Sequence, residues 1–256
     1  FQRFAEVDLA IAADGEATLP SLIDAVRRAT TGDRKRVFES RGAKLAEASR
    51  AALDRARLEA SYAWDASPVS TARLCAELWG QIRNEDWALV NGTGGWAPRL
   101  WNFDKPYQWI GASGGAGVGY GAPAAVGAAL AHKPHGRLAV NIQADGDLMY
   151  APGVLWTAAH HRIPLLSVMH NNRAYHQELM HVQKMCNRHS RGIERGRIGS
   201  ELVDPPIDYA KVAQGLGLHA EGPITDPNEV GPAIARAMAS VKRGEPALVD
   251  VVCQPR

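Results

Sequence analysis

Cysteine is scarce, net charge is almost nil and no long apolar run occurs, and each shortage removes a class of function. Cys75, Cys186 and Cys253 are an odd set without metal-type spacing, so reduced thiols in a cytoplasmic protein are the plain expectation. No apolar stretch approaches bilayer length and no signal-peptide pattern is present, which argues against a membrane partner. A formal charge of +2 leaves no electrostatic footprint for nucleic acid. With 46% hydrophobic and 22% charged residues, the 256-residue chain reads as globular, one large domain or one domain plus part of another. It opens Phe1-Gln2-Arg3, without methionine and in what reads as the middle of a domain. A longer polypeptide, or one chain of a split enzyme, is therefore expected.

The informative stretch is Gln143 to Tyr175. Arg137 to Ile142 and Ile163 to Met169 are apolar runs of strand length, and Val154 to Ala159 between them reads as a helix behind Pro152. Strand, helix, strand at this length predicts a βαβ unit with parallel neighbouring strands. The polar clusters Ala144-Asp145-Gly146-Asp147 and Asn171-Asn172-Arg173-Ala174-Tyr175 then fall at the carboxyl ends of those strands, the edge where open α/β sheets bind ligands. A carboxylate and a carboxamide at fixed separation suit Mg²⁺, which takes oxygen ligands at about 2.0–2.1 Å and shares them with phosphate. Gly146 lets backbone approach that phosphate at a helix start. Taken singly, Asp-Gly and Asn-Asn are ordinary turn residues after strands; the spacing and a second motif upstream favour the site.

Asp145-Gly146, residues 147–170, then Asn171-Asn172 resembles the Gly-Asp-Gly…Asn-Asn motif of thiamine diphosphate (ThDP) enzymes of the acetolactate synthase and benzoylformate decarboxylase-like family. The resemblance implies that Asp145, the side chain of Asn172 and the carbonyl of Ala174 hold Mg²⁺, and that Asp145, Gly146, Asp147 and Asn172 face the cofactor. Ala144 departs from the first glycine, and Asp147 stands where a serine often donates to the diphosphate. Only the amide of Asp147 is expected to face phosphate, its carboxylate turning away. Gly111 to Ala128 is similar to the family's Gly-Leu-Gly-Phe-x-Leu-Pro-Ala-Ala-Ile-Gly segment. There Val118 takes the place of the wedge that bends the cofactor, and the Ala116 carbonyl would accept from its 4′-amino group. The same small residues also suit a close helix–sheet contact.

Upstream, Ser67-Pro68 predicts a helix start, running to about Arg83 and burying Leu74, Leu78 and Ile82. Trp87 to Val90 reads as a buried strand ending at Asn91-Gly92-Thr93-Gly94-Gly95-Trp96. Glycines there form a nest for an anion, and the resemblance makes Gly94 and Gly95 backbone contacts of the diphosphate. Trp96 stands where the family often has histidine. Downstream, His176 to Ser200 is polar and basic with little apolar periodicity; in the family this region covers the cofactor. Glu178 matches a glutamate near the reaction centre of decarboxylase-like members, and His176, Gln177 and His181 join it as pocket candidates. Helices at 209–216 and 228–241 and strands at 218–221 and 247–252 complete an α/β, mostly parallel sheet flanked by helices.

At the start, Val7 to Ala13 reads as a strand and Glu16 to Thr30 as a helix, resembling the tail of the family's central domain (residues 1–32). Residues 33–61 read as a solvated helical linker with a break near Gly42; a polybasic binding helix is the sharper alternative, weakened by interleaved Glu39, Glu47, Asp54 and Glu59. Residues 62–256 resemble the whole pyrophosphate-binding domain. The resemblance implies a ThDP- and Mg²⁺-dependent lyase, decarboxylase or carboligase acting on a 2-oxo acid or 2-hydroxyacyl substrate. It also implies a partner, because the pyrimidine-binding region must come from another chain or a missing N-terminal part, in a homo- or hetero-oligomer. Two rival readings remain open: a non-catalytic ThDP-type assembly subunit, and a dinucleotide-binding Rossmann protein built on Gly119 to Ala124, with Asp145 as its ribose acid.

Overall fold

The apolar segments at 87–90, 138–142, 165–169 and 247–252 become strands buried on both faces, which is why they are nearly continuous in Val, Ile, Leu and Ala. The computed structural model describes residues 6–111 and 117–255. In it β1 (Trp87–Asn91), β2 (Leu138–Ala144), β3 (Leu165–Asn171), β4 (His219–Ile224) and β5 (Ala247–Val252) form a five-stranded sheet in the order β1-β2-β3-β5-β4. Every pairing is parallel. The chain divides into two compact units, one ending at Asp54 and one beginning at Arg55.

In the first unit, α1 (Gly15–Ala29) is capped by Asp14, whose side chain accepts from the Ala17 amide at 2.8 Å. None of its residues is buried; Leu19, Leu22, Ile23 and Val26 all face outward. The strand expected at Val7 to Ala13 does not form. With no ladder partner among the described residues, its amides and carbonyls stay open to water, and apolarity alone does not make a strand. Crossing into the second unit, α2 (Gly32–Ala60) is one uninterrupted helix, without the break expected near Gly42. A single interior glycine costs about 1 kcal/mol against alanine, and the surrounding Ala, Arg, Lys and Glu outweigh it.

The helices of the second unit are α3 (Thr71–Ile82), α4 (Ala97–Leu100), α5 (Gly121–His132), α6 (Asp145–Leu148), α7 (Val154–His160), α8 (His176–Arg188), α9 (Tyr209–Gly215) and α10 (Pro227–Lys242). The two-residue period of the strands divides them between two faces. Leu89, Val140, Ile142, Val168 and Val249 pack with Leu74, Leu78 and Ile82 of α3 and Ile234 and Met238 of α10. The alternate residues Ala88, Val90, Ala139 and Leu165 pack with Ala125, Val126 and Ala129 of α5 and Ala158 of α7. Further along the same face, Met169 and Leu248 pack with Tyr209, Ala210 and Ala213 of α9. The result is three layers, helix–sheet–helix. Because β5 inserts between β3 and β4, the chain reverses direction after β4, and α10 returns on the face opposite α9.

One further expectation changes. The helix placed after Ser67-Pro68 begins instead at Thr71, with the Ser70 hydroxyl accepting from the Arg73 amide at 3.1 Å. Val69 is drawn into extended pairing beside Cys253, donating to the Val252 carbonyl at 2.9 Å, so its backbone is not available to a helix. In His176 to Ser200, whose sequence shows little apolar periodicity, α8 runs for 13 residues and buries only Leu179. The loop after β1 is fixed by stacked indoles. Trp101 lies between Trp79 and Phe103, at ring separations of 5.8 and 6.1 Å, and its indole N–H donates to the Cys75 carbonyl at 2.9 Å.

These burials separate two classes of leucine. Leu78→Ala, at 0% exposure, should cost about 2–5 kcal/mol. Leu22→Ala, at 50% exposure, should stay within about 0.5 kcal/mol. Urea denaturation followed by far-UV circular dichroism reads both, and equal costs would contradict the packing described.

Candidate functional site

Neighbouring parallel strands carry their ends to one rim. Ala144 of β2 lies opposite His170 of β3, so Asp145 and Asn172 leave adjacent strands side by side. Asp145 is 1% exposed. Its Oδ1 accepts from the Gly146 amide at 2.9 Å and its Oδ2 from the Ala174 amide at 3.2 Å, while Asn172 Oδ1 accepts from the same Ala174 amide at 3.2 Å. Carboxylate and carboxamide oxygens therefore converge on one turn. Arg173 makes that turn with a left-handed backbone, φ 58°. Burial pushes the Asp145 carboxyl up to about 6, and the main-chain amides of Gly146, Arg173 and Ala174 offset only part of that. Gly146 has a local reason to be glycine: a Cβ there would meet the Tyr175 ring at 2.6 Å.

Asp147 turns its carboxylate onto the glycine-rich turn before α5. Oδ1 accepts from the Gly119 amide at 2.7 Å, and Oδ2 accepts from the Gly121 amide at 3.0 Å and from Gln143 Nε2 at 2.9 Å. Gly117, Val118 and Gly119 all have left-handed backbones, with φ 76°, 51° and 85°. For a β-branched residue such as Val118 that conformation is strained, by about 1–2 kcal/mol. Its side chain is 69% exposed. Behind Asp147 runs a line of amides: Asn91 Nδ2 donates to Asn141 Oδ1 at 2.8 Å, and Asn141 Nδ2 to Ser167 Oγ at 3.2 Å.

A cavity of about 640 Å³ opens on this rim. Of the expected site residues, Gly94, Gly95, Val118, Asp145, Gly146, Asp147, Asn172, Ala174, His176 and Glu178 all line it. Gln177 lines it as well, whereas His181 is exposed on α8 away from it. Ala116 lies outside the described residues. Gly94 and Gly95 are left-handed, with φ 83° and 70°, and a Cβ on Gly94 would strike Thr71 Cγ2 at 2.5 Å. Sequence reasoning missed Asn91, Tyr150 and Tyr175 as lining residues. Tyr150 and Tyr175 meet edge-to-face with ring centres 5.9 Å apart. The available signal was polar residues inside a doubly buried strand: Asn141 and Gln143 alternate with Val140 and Ile142, and such amides need partners.

The donors present suit a hard cation. Among the described residues no group of three His, Cys, Asp or Glu is placed to hold a metal ion. A buried carboxylate whose hydrogen bonds come from main-chain amides, with a carboxamide oxygen beside it, leaves coordination positions for phosphate oxygens. Gly94 and Gly95 offer backbone to such an anion. No helix among the described residues is long and apolar enough to cross a membrane.

Cavity, carboxylate and glycine turn share the carboxyl edge of a parallel sheet, which makes this an α/β domain suited to an anionic cofactor. Residues 92–251 match the thiamine pyrophosphate enzyme C-terminal TPP-binding domain, and the chain belongs to that family. It is 32% identical over 128 residues to the acetolactate synthase large subunit of Haemophilus influenzae, covering 50% of this chain and 20% of that protein. It is 31% identical over 138 residues to benzoylformate decarboxylase of Pseudomonas aeruginosa, covering 54% of this chain and 23% of that protein. The fold matches the ThDP-dependent 4-hydroxybenzoylformate decarboxylase of Rhodococcus jostii with TM-score 0.62 and 24% identity, over 75% of this chain and 34% of that one. The chain thus spans only a fifth to a third of these relatives. The dinucleotide reading is overturned: among the described residues no strand of the sheet directly precedes Gly119, and the family match covers that segment.

The raised Asp145 pKa has a definite sign. Its stabilising contribution is complete below about pH 4 and is lost as pH rises through about 6, since the unfolded chain gives up the proton first. Against Asp145→Asn, the wild-type chain without divalent ion should lose on the order of 3 kcal/mol between pH 4 and pH 7. Parallel stability–pH curves for the two would contradict the burial argument.

Proposed function

We propose that this chain supplies the diphosphate- and metal-binding half of a ThDP- and Mg²⁺-dependent enzyme that breaks or forms a C–C bond in a 2-oxo acid or 2-hydroxyacyl substrate, with decarboxylation or lyase cleavage favoured. The observation that carries it is the meeting of Asp145 and Asn172 oxygens at the Ala174 amide, at the floor of the cavity. Asp145, Asn172 and the Ala174 carbonyl would hold Mg²⁺. Gly94, Gly95 and the Gly146 and Asp147 amides would hold the diphosphate, and Val118 would stand against the cofactor's rings. When bound, ThDP supplies the carbon nucleophile that adds to the substrate carbonyl and the electron sink for the broken bond.

The protein residues exclude water, orient the substrate and move protons. Glu178 and His176, at the first turn of α8 and at the cavity wall, are the groups we assign to proton transfer at the substrate. Glu178 favours decarboxylase or lyase chemistry; a carboligase is the alternative that the acetolactate synthase relative supports. The group that protonates the aminopyrimidine is assigned to a pyrimidine-binding region outside this chain, in a homo- or hetero-oligomer. The free thiols, with Cys75 pushed up to about 12 by burial, are consistent with a reducing, cytoplasmic setting. A second reading, a non-catalytic assembly subunit, draws support from Asp147, which spends its carboxylate on the protein's own amides.

Two measurements test the assignment. Asp145→Ala should weaken Mg²⁺-dependent ThDP binding at least a hundredfold by calorimetry on the assembled protein; retained affinity would remove the metal role. Glu178→Gln should lower kcat tenfold or more with ThDP affinity unchanged, and an unaltered kcat would take Glu178 out of the chemistry.

A further inference from the structure

We propose that Asp147 is a positioning residue whose carboxylate clamps the left-handed turn at Gly117–Gly119, holding Val118 out into the cavity, where it would stand against the cofactor. This rests on the reading of Val118 as the residue that stands against the cofactor's rings. Three successive residues with φ 76°, 51° and 85° do not persist without restraint when the middle one is valine. The restraint is on the page. Both oxygens of one carboxylate are used, Oδ1 on the Gly119 amide at 2.7 Å and Oδ2 on the Gly121 amide at 3.0 Å, so the last residue of the turn and the first residue of α5 are tied to one rigid group. The turn is pressed hard against this anchor: a Cβ at Gly121 would lie 2.6 Å from Asp147 Oδ2 and 2.8 Å from Asn91 Nδ2.

The anchor is itself held from behind. Gln143 donates to Asp147 Oδ2 at 2.9 Å, and Gln143 Oε1 accepts from Asn141 at 3.3 Å and from Asn91 at 3.4 Å. Asn141 reaches Ser167 of β3 at 3.2 Å. The amide line therefore spans β1, β2 and β3 and fixes the carboxylate against the sheet. This arrangement also resolves a conflict of charge. A carboxylate beside a diphosphate is unfavourable when it faces it, but here the Gly119 and Gly121 amides on one side and Gln143 of β2 behind compensate it.

The test is calorimetry on the full protein in its native assembly with two probes, ThDP and inorganic diphosphate, each with Mg²⁺. Circular dichroism of the bound aminopyrimidine serves as a signature of the cofactor's shape. Asp147→Asn, in which an amide replaces one acceptor, and Asp147→Ala should weaken ThDP at least tenfold and alter the dichroic band. Inorganic diphosphate, which does not meet Val118, should stay within twofold and report that the fold is intact. In a Val118→Ala background the further loss from Asp147→Asn should shrink below threefold. Unchanged or tighter ThDP binding in Asp147→Asn, or equal weakening of both probes, overturns the clamp. A wild-type protein that takes neither probe overturns the cofactor assignment itself, and the clamp with it.

Discussion

One buried carboxylate sets the terms for the rest of the site. Asp145 is shut away from water and faces main-chain amides. Amides moderate the cost of burying that charge, yet burial still dominates its proton affinity. In the proposed function a cation would compensate that charge, and the Asn172 oxygen, just past the end of β3, would stand beside it as a neighbouring ligand. The parallel pairing of β2 with β3 is what brings the two oxygens to one turn. If the register slipped by one residue, the two oxygens would no longer meet at one turn.

The glycines around the cavity do separate tasks. Gly146 yields to the Tyr175 ring, Gly94 to Thr71 and Gly119 to the Tyr150 side chain, where a Cβ would come within 2.7 Å. They admit protein groups as closely as they could admit a ligand, so the rim is pre-formed by packing. Val118 is the exception, a bulky residue kept in a glycine's conformation. Strain of this kind persists where the surroundings over-determine it, and the amide line behind Asp147 is such a surrounding.

Much of this was legible in the sequence. The strands around Asp145 and Asn172 could be read from apolar runs bounded by turn residues, because both faces of each strand are buried and no competing period confuses the signal. The terminal helix of the domain was readable from Asp226-Pro227: Asp226 caps α10, accepting from the Asn228 amide at 2.9 Å. What failed depended on partners. Val7 to Ala13 has a strand's composition but no neighbour among the described residues to pair with, and Ser67-Pro68 has a cap's composition but the next residue, Val69, is held extended beside Cys253. Nor could composition show that Asp147 would turn to Gly119 and Gly121, since that contact joins positions 26 and 28 residues apart.

The two asparagines at the end of β3 point to different consequences. Asn172 serves the cavity, while Asn171, still on the strand, donates to Asp250 of β5 at 3.0 Å, and Asp250 in turn accepts from the Tyr209 amide at 3.1 Å. β5 is the latest strand of the sheet to leave the ribosome, yet it occupies an interior place between β3 and β4. The dipeptide that shapes the site is thus fastened only when synthesis has passed the whole sheet. A nascent chain halted before β5 would carry every cavity-lining residue and still lack the bolt that sets them.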